Sequence, residues 1–356
     1  MSYNRQSMTA NPDENSVTAP AGLPYPTLRF PRVTVVTNGD TPSPACVGAL
    51  RAHTPITLTT VEQLGEVLSQ TDVLFVWPFS LPTLRFEWQE AAHLRWIHTA
   101  TAGIDGVVFP ELTQSNVLLT NSRGVFDDSI AEYVLGLILA FAKDFPRTLD
   151  LQRQRVWMHR DTERLAGQNV LVVGAGAIGR AIARLCRLAN MTVELMGRRA
   201  RGDAEFGEVL GASELYRALG RADFVVVAAP LTDATYNMFD VAAFNAMSAH
   251  ARFINIGRGS IVDESALLRA IREGRLAAAA LDVFVDEPLP DEHPFWSEER
   301  VIVSPHMSAD FHGWQEVITD LFLQNLRHFR GGAPLLNIVD KALGLGFREN
   351  ERTNDQ

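Results

Sequence analysis

The chain has 356 residues, 46% of them hydrophobic and 21% charged, with a formal net charge of −10. That length exceeds one ordinary core and makes two domains the expectation. The acidic balance argues against non-specific binding to nucleic acid or to an anionic membrane surface. Lysine occurs only at Lys143 and Lys341, so nearly every basic residue is arginine. Cys46 and Cys186 fit no metal or redox spacing, which points to a reducing, cytoplasmic compartment and to no metal site. The N-terminus lacks the charged, apolar and small-residue order of a signal peptide. Apolar runs such as 133–142 are too short to span a bilayer.

Residues 1–30 are polar, with Pro12, Pro20, Pro24 and Pro26, and read as a mobile tail. Order is expected from a β-branched strand at 32–37. A helix at 61–68 and buried strands at 72–77 and 94–99 follow, giving a first, small α/β domain. Ser129 and Glu132 have capping-box spacing at the head of a helix continued by 133–142, so Glu132 reads as a cap and not as a catalytic group. Residues 152–165 are charged, contain Trp157 and read as an exposed arm. From Asn169 the pattern becomes strand–helix repeats. Strands are expected at 169–173, 191–196, 223–228, 251–256, 277–283 and 301–303. Helices are expected at 178–189, 213–219 and 263–273, the last with Asp263 as N-cap. Right-handed crossovers would make this a parallel sheet. One more helix, 314–330, leads into a polar tail.

The first of these repeats carries Gly174-Ala175-Gly176-Ala177-Ile178-Gly179 between a strand and a helix. Gly174 permits the tight turn, Gly176 lets the backbone approach a phosphate, and Gly179 lets the helix pack close to its strand. This is a dinucleotide fingerprint in its full context. The second strand ends in Gly197-Arg198-Arg199, where such folds usually place an acid for the ribose hydroxyls. Without the acid there is no repulsion of a 2′-phosphate, and Arg198 and Arg199 could bind it. Two solvated surface arginines are the alternative. Glu194 points along the strand and is a poor ribose ligand.

Three later turns carry polar groups after a strand: Arg258 within 253–264, Glu287 within 281–288, and His306 within 303–306. At the carboxyl ends of a parallel sheet such turns face the ligand crevice. An arginine, a carboxylate and a histidine beside a nicotinamide suit hydride chemistry on a 2-oxo acid. Arginine would hold the substrate carboxylate and polarise the ketone. Histidine would exchange the hydroxyl proton, and the carboxylate would bond the imidazole and favour its charged form.

At these residues the chain resembles the D-isomer-specific 2-hydroxyacid dehydrogenases. The resemblance covers roughly residues 70–340 and takes in Ala102-Gly103-Ile104-Asp105, Leu165-Ala166-Gly167, Pro230-Leu231-Thr232, and the stretches 255–263, 281–288 and 305–306. It implies an α/β protein of two domains. A Rossmann-type doubly wound sheet, 126–309, would be inserted into a smaller flavodoxin-like catalytic domain, 31–125 with 310–345, before a tail at 346–356. It implies Arg258 as substrate binder, His306 as acid/base and Glu287 as its partner. It places Asp282 and the Ile256 backbone at the nicotinamide end, Pro230 at the cofactor, and the amides of Ala102 and Gly103 at the substrate carboxylate. It also implies a homodimer, with Trp157 as an arm tryptophan that reaches the partner or simply packs against it.

The chain departs from the common pattern at Gly197, as NADP-preferring members do, so NADP(H) is favoured and NAD(H) stays open. A second departure is Met307-Ser308-Ala309-Asp310 after His306, which would reshape the pocket. Trp77 falls where some members line the substrate pocket; a core role is equally open. The expected activity is reduction of a small 2-oxo acid to a D-2-hydroxy acid. The rivals are a dinucleotide-sensing corepressor-like module and a formate dehydrogenase.

Overall fold

Short β-branched and aromatic runs give five strands before residue 122: β1 Val33–Thr37, β2 Ile56–Thr60, β3 Val73–Val76, β4 Trp96–Thr99 and β5 Leu118–Thr120. The computed structural model describes residues 30–39 and 42–341. These divide into one unit of residues 30–122 with 315–341 and a second of residues 123–314. The junctions expected at 125/126 and 309/310 compare with 122/123 and 314/315 here. The tails expected at 1–30 and 346–356 lie outside the described residues, Phe30 apart.

In the first unit all five strands pair in parallel in the order β2-β1-β3-β4-β5, the flavodoxin arrangement. Every side chain of β1, β3 and β4 is buried, as a parallel sheet covered on both faces requires. The helix Trp314–Gly331 lays Phe322 on Phe75 at 4.4 Å between ring centroids and on Trp96 at 5.2 Å. Several elements here have no counterpart in the expectations: the helix Pro44–His53, capped by the Ser43 hydroxyl at the Cys46 amide, β2, the short helical turns Thr83–Phe86 and Trp88–Glu90, the helix Pro110–Gln114, and β5. The helix expected over 61–68 starts only at Leu64, because the Val61 amide still donates to Thr37 O in the sheet.

The second unit adds β6 Asn169–Val173, β7 Thr192–Met196, β8 Arg201–Asp203, β9 Gly207–Leu210, β10 Phe224–Val227, β11 Arg252–Asn255, β12 Ala278–Leu281 and β13 Val301–Val303. Their order is β13-β12-β11-β10-β6-β7-β9-β8, a doubly wound Rossmann sheet whose strand order reverses between β6 and β10. The sheet is not wholly parallel: β8 and β9 form an antiparallel hairpin on its edge. Helix Ala177–Leu188 follows the fingerprint, and Asp263 caps the helix Glu264–Arg272 by accepting from Ala266 N at 2.9 Å.

The capping box at Ser129 is corrected. The helix Asp127–Ala142 begins earlier, from Phe126, with no side-chain cap; Asp127 and Asp128 supply the negative charge in its first turn. Glu132 is then an exposed interior residue. After the helix Phe145–Gln154, Trp157 stands fully exposed between the exposed Val156 and Met158. Among the described residues no helix is long and apolar enough to cross a membrane, and no group of three His, Cys, Asp or Glu could hold a metal ion.

Burial makes His98 of the first unit pH-sensitive. His98 has no exposed surface, its Nδ1 lies 2.7 Å from Thr120 Oγ1, and its Nε2 has no partner. Burial pushes this imidazole from 6.5 down to about 3. The folded chain therefore keeps it neutral while the unfolded chain protonates below its ordinary value. The stability it contributes is whole above pH 6.5 and drains as pH falls toward 3, at up to about 1.4 kcal/mol per pH unit. Urea midpoints of wild type and His98→Phe, compared between neutral and mildly acid pH, are expected to diverge, the wild type losing more. Parallel pH profiles would contradict this.

Candidate active site

Five turns at the carboxyl ends of neighbouring strands are pressed together in the second unit. A Cβ on Gly174, after β6, would lie 2.5 Å from Ala228 O, after β10. One on Gly257, after β11, would lie 2.8 Å from Ala229 O, and one on Gly259 would lie 1.9 Å from the Phe284 carbonyl carbon, after β12. No side chain fits in such gaps, so these positions need glycine. The fifth turn, after β13, is joined by a carboxylate. Asp282 is 1% exposed; its Oδ1 accepts from Ser304 Oγ at 2.6 Å and Met307 N at 3.0 Å, and its Oδ2 accepts from Ser308 N at 2.9 Å.

The fingerprint closes on itself. Gly174 has φ of +127°, and a Cβ on Gly179 would lie 1.7 Å from Gly174 O. Nothing lies within 4 Å of the corresponding point on Gly176, which leaves an opening before the uncapped amides of Ala177 and Ile178. This is the geometry that receives a pyrophosphate. At the end of β7 the Gly197 position is filled from outside: Arg201 Nη1 lies 3.0 Å and Ala175 Cβ 3.4 Å from where its Cβ would be. Arg198 and Arg199 are exposed beside it. Glu194 is paired to Arg221 at 2.6 Å.

The three residues expected to carry chemistry converge. His306 Nδ1 lies 2.8 Å from Glu287 Oε2, and Glu287 Oε1 accepts from Phe284 N at 2.9 Å. His306 has φ of +51°, a left-handed conformation uncommon outside glycine. Its amide holds it there, donating to Asp282 O at 2.8 Å and Ser304 O at 3.1 Å. Burial pushes the Glu287 carboxyl up. Hydrogen bonds from His306 and Phe284, with the charges of His306 and Arg258, outweigh this and hold it below the ordinary carboxylate range. Arg258 is set by its turn: Asn255 Oδ1 accepts from Gly257 N and Asn255 Nδ2 donates to Arg258 O, both at 3.0 Å. The result is an ionised carboxylate on an imidazole with a guanidinium nearby, able to bind a small anion and move one proton.

The other expected site residues have these surroundings. Asp282, expected at the nicotinamide end, has both carboxylate oxygens bonded to the 304–308 turn, as burial of a carboxylate demands. The Ile256 amide donates to Val227 O at 3.1 Å. Trp77 is 7% exposed and packs edge-on against Phe75 at 5.4 Å. Pro230 is exposed, with its carbonyl accepting from Thr235 Oγ1 at 2.7 Å. In the first unit the carbonyls of Ala102 and Gly103 are taken by Asn121 Nδ2 and Thr101 Oγ1, while their amides donate to no described residue. Such amides can take an anion.

Sequence reasoning gave no individual role to Ser304, Tyr133 or Asp310. Tyr133 faces Ser304 and Asp282, and its phenol is held above its ordinary value by burial and by Asp282. Partial desolvation, then the charge of Asp282, raises the Asp310 carboxyl against the opposing pull of His306. The sequence signal for Ser304 and Asp310 was position, on either side of His306; Tyr133, far off in the chain, had none.

Residues 135–308 match the family described as D-isomer specific 2-hydroxyacid dehydrogenase, NAD binding domain. A glyoxylate reductase of Thermococcus kodakarensis is 32% identical over 262 residues, 70% of this chain and 78% of its own. A D-isomer specific 2-hydroxyacid dehydrogenase family protein of Aeromonas salmonicida superposes with a TM-score of 0.74 at 29% identity, covering 87% of this chain and 99% of its own. An NADPH-dependent glyoxylate/hydroxypyruvate reductase of Sinorhizobium meliloti, solved with NADP and sulfate, gives 0.76 at 27% identity, covering 88% and 99%. The chain belongs to the D-isomer-specific 2-hydroxyacid dehydrogenase family. It is an NAD(P)-dependent oxidoreductase of two α/β domains.

The Asp282 network yields a stability test. Ser304→Ala removes one of the three donors to a buried carboxylate and should cost about 1–3 kcal/mol in urea unfolding. A change below about 0.5 kcal/mol, the range of ordinary surface substitutions, would show that the network does not hold the turn.

Proposed function

We propose that this enzyme reduces a small 2-oxo acid to the D-2-hydroxy acid, with NADPH favoured over NADH. The observation that carries the reading is the 2.8 Å contact of His306 with Glu287 beside Arg258, on the same row of turns as the fingerprint. A reduced nicotinamide, when bound, supplies the hydride. The opening at Gly176 and the first amides of helix Ala177–Leu188 hold the pyrophosphate. Arg258 binds the substrate carboxylate and polarises the ketone through a planar fork of donors. Glu287, accepting at Nδ1, orients the ring so that its opposite nitrogen, Nε2, protonates the carbonyl oxygen. Microscopic reversal makes the same nitrogen the base in the oxidation direction.

Relatives named glyoxylate reductase and glyoxylate/hydroxypyruvate reductase support two- and three-carbon 2-oxo acids as substrates. The absence of an acid at Gly197, the arginines after it and the NADP complex of the Sinorhizobium meliloti protein support NADPH. The exposed Val156, Trp157 and Met158 support assembly as a homodimer through the arm. Cys46 and Cys186, both free and buried, suit the cytoplasm.

His306→Ala is expected to lower turnover of glyoxylate by roughly 10²–10⁴-fold, the usual worth of a positioned proton donor. NADPH affinity, read by fluorescence titration, should stay near that of wild type. Near-normal turnover in this variant would remove His306 from the mechanism.

A further inference from the structure

One peptide group joins the turn of Arg258 to the turn of Glu287. A Cβ on Gly259, the residue after Arg258, would lie 1.9 Å from Phe284 C, 2.1 Å from Phe284 O and 2.3 Å from Val285 N. The Phe284–Val285 peptide is thus seated directly on the turn that carries Arg258. The preceding amide, Phe284 N, donates to Glu287 Oε1 at 2.9 Å, and Glu287 Oε2 lies 2.8 Å from His306 Nδ1. A shift of this peptide would move Glu287 and His306 against Arg258.

The same peptide is held by a second carboxylate and a second imidazole. Glu264 Oε1 accepts from Val285 N at 3.0 Å, and Glu264 Oε2 lies 3.5 Å from His293 Nε2. Glu264 opens the helix Glu264–Arg272, where its charge meets the positive end of the helix dipole, and Asp263 already serves as the cap. His293 is fixed in turn. Its Nδ1 accepts from Phe295 N at 3.3 Å at the head of the short helix Pro294–Ser297, and its ring lies 4.7 Å from that of the buried Phe295. A neutral ring that accepts at Nδ1 carries its proton on Nε2 and presents it to Glu264. The two side chains are 21% and 19% exposed, so solvent screens their contact less than that of a surface pair. Consecutive amides thus each hold one oxygen of a carboxylate whose other oxygen faces an imidazole: Glu287 with His306, and Glu264 with His293.

We propose that Glu264 and His293 form a positioning pair that fixes the Phe284–Val285 peptide, and through it the spacing of Arg258 from the Glu287–His306 couple. This rests on the roles proposed above for Arg258, Glu287 and His306 and adds the residues that keep them in register. Losing Glu264 leaves Val285 N without its acceptor and Glu287 on a peptide that can shift. The guanidinium and the proton donor then fall out of register, while the fingerprint at 174–179, on a different turn, keeps its geometry.

The test compares Glu264→Ala, Glu264→Gln and His293→Asn with wild type in glyoxylate reduction, NADPH affinity and NMR titration of the His306 ring. Glu264→Ala is expected to lower kcat/KM for glyoxylate by roughly 10–100-fold, the worth of misplaced reacting groups, with NADPH affinity unchanged. Glu264→Gln keeps an oxygen for Val285 N and should recover most of that loss. His293→Asn keeps a capping oxygen for Phe295 N and drops the contact with Glu264, so it should fall between the two. Arg258, from the turn after β11, and Asp310, from the segment that follows His306, also act on the Glu287–His306 couple and are the same in every variant. In Glu264→Ala a loosened Glu287 stabilises the imidazolium less, so the titration midpoint of His306 should move down by about half a pH unit or more. Unchanged kcat/KM in Glu264→Ala, or a loss that Glu264→Gln does not recover, would overturn the proposal. So would a fall in NADPH affinity that matches the fall in turnover, the mark of a merely structural role. If wild type does not reduce glyoxylate, the proposed reaction fails for that acid and the His306 titration decides by itself: an unmoved midpoint in Glu264→Ala overturns the positioning pair as well. Wild-type behaviour of His293→Asn would overturn the part given to His293 and leave Glu264 alone.

Discussion

The structure of the second unit depends on how closely five post-strand turns can approach one another. Gly174 meets Ala228, Gly257 meets Ala229, and Gly259 meets Phe284, each across a gap that admits no side chain. The fifth turn, 304–308, has no glycine, and the buried Asp282 draws it in through three hydrogen bonds. A buried carboxylate is costly unless its oxygens are satisfied, so the 304–308 turn has little freedom. His306 takes its left-handed backbone and its contact with Glu287 from that constraint.

The charges follow the same row. At one end Arg198, Arg199 and Arg201 have no acidic partner among the described residues. At the other, an ionised Glu287 sits on His306 with the charge of Arg258 in reach. The positive end suits a phosphorylated adenosine, and the mixed end suits a small anionic substrate that must gain one proton. The fingerprint lies between them, so one sheet orders both ends of an extended dinucleotide.

Much of this was legible because buried parallel strands read as continuous apolar runs. The strands β6, β7 and β10–β13 fell within a residue or two of expectation, and the turns after them carried the polar triad. β2 escaped because its ITLTT is an edge strand without a continuous buried apolar run, Thr57 and Leu58 being exposed. β8 and β9 escaped because RGD and GEVL have no strand signal of their own; arginines on a neighbouring helix make the hairpin. The Ser129 capping box misled because Asp127 and Asp128 already serve the helix start. Trp77 was left between pocket and core, and Asp282 was placed by resemblance alone, for a common reason. Residue type gives the chemistry a side chain can do, and only burial and partners decide whether it is offered to a ligand.

The central claim is tested most directly by following oxidation of reduced cofactor with glyoxylate, hydroxypyruvate and pyruvate, each run with NADPH and NADH in parallel. The account predicts turnover with at least one of these acids and a higher kcat/KM for NADPH. No oxidation of either cofactor across the series would contradict the proposed reaction, and a clear preference for NADH would contradict the role given to the arginines beside Gly197.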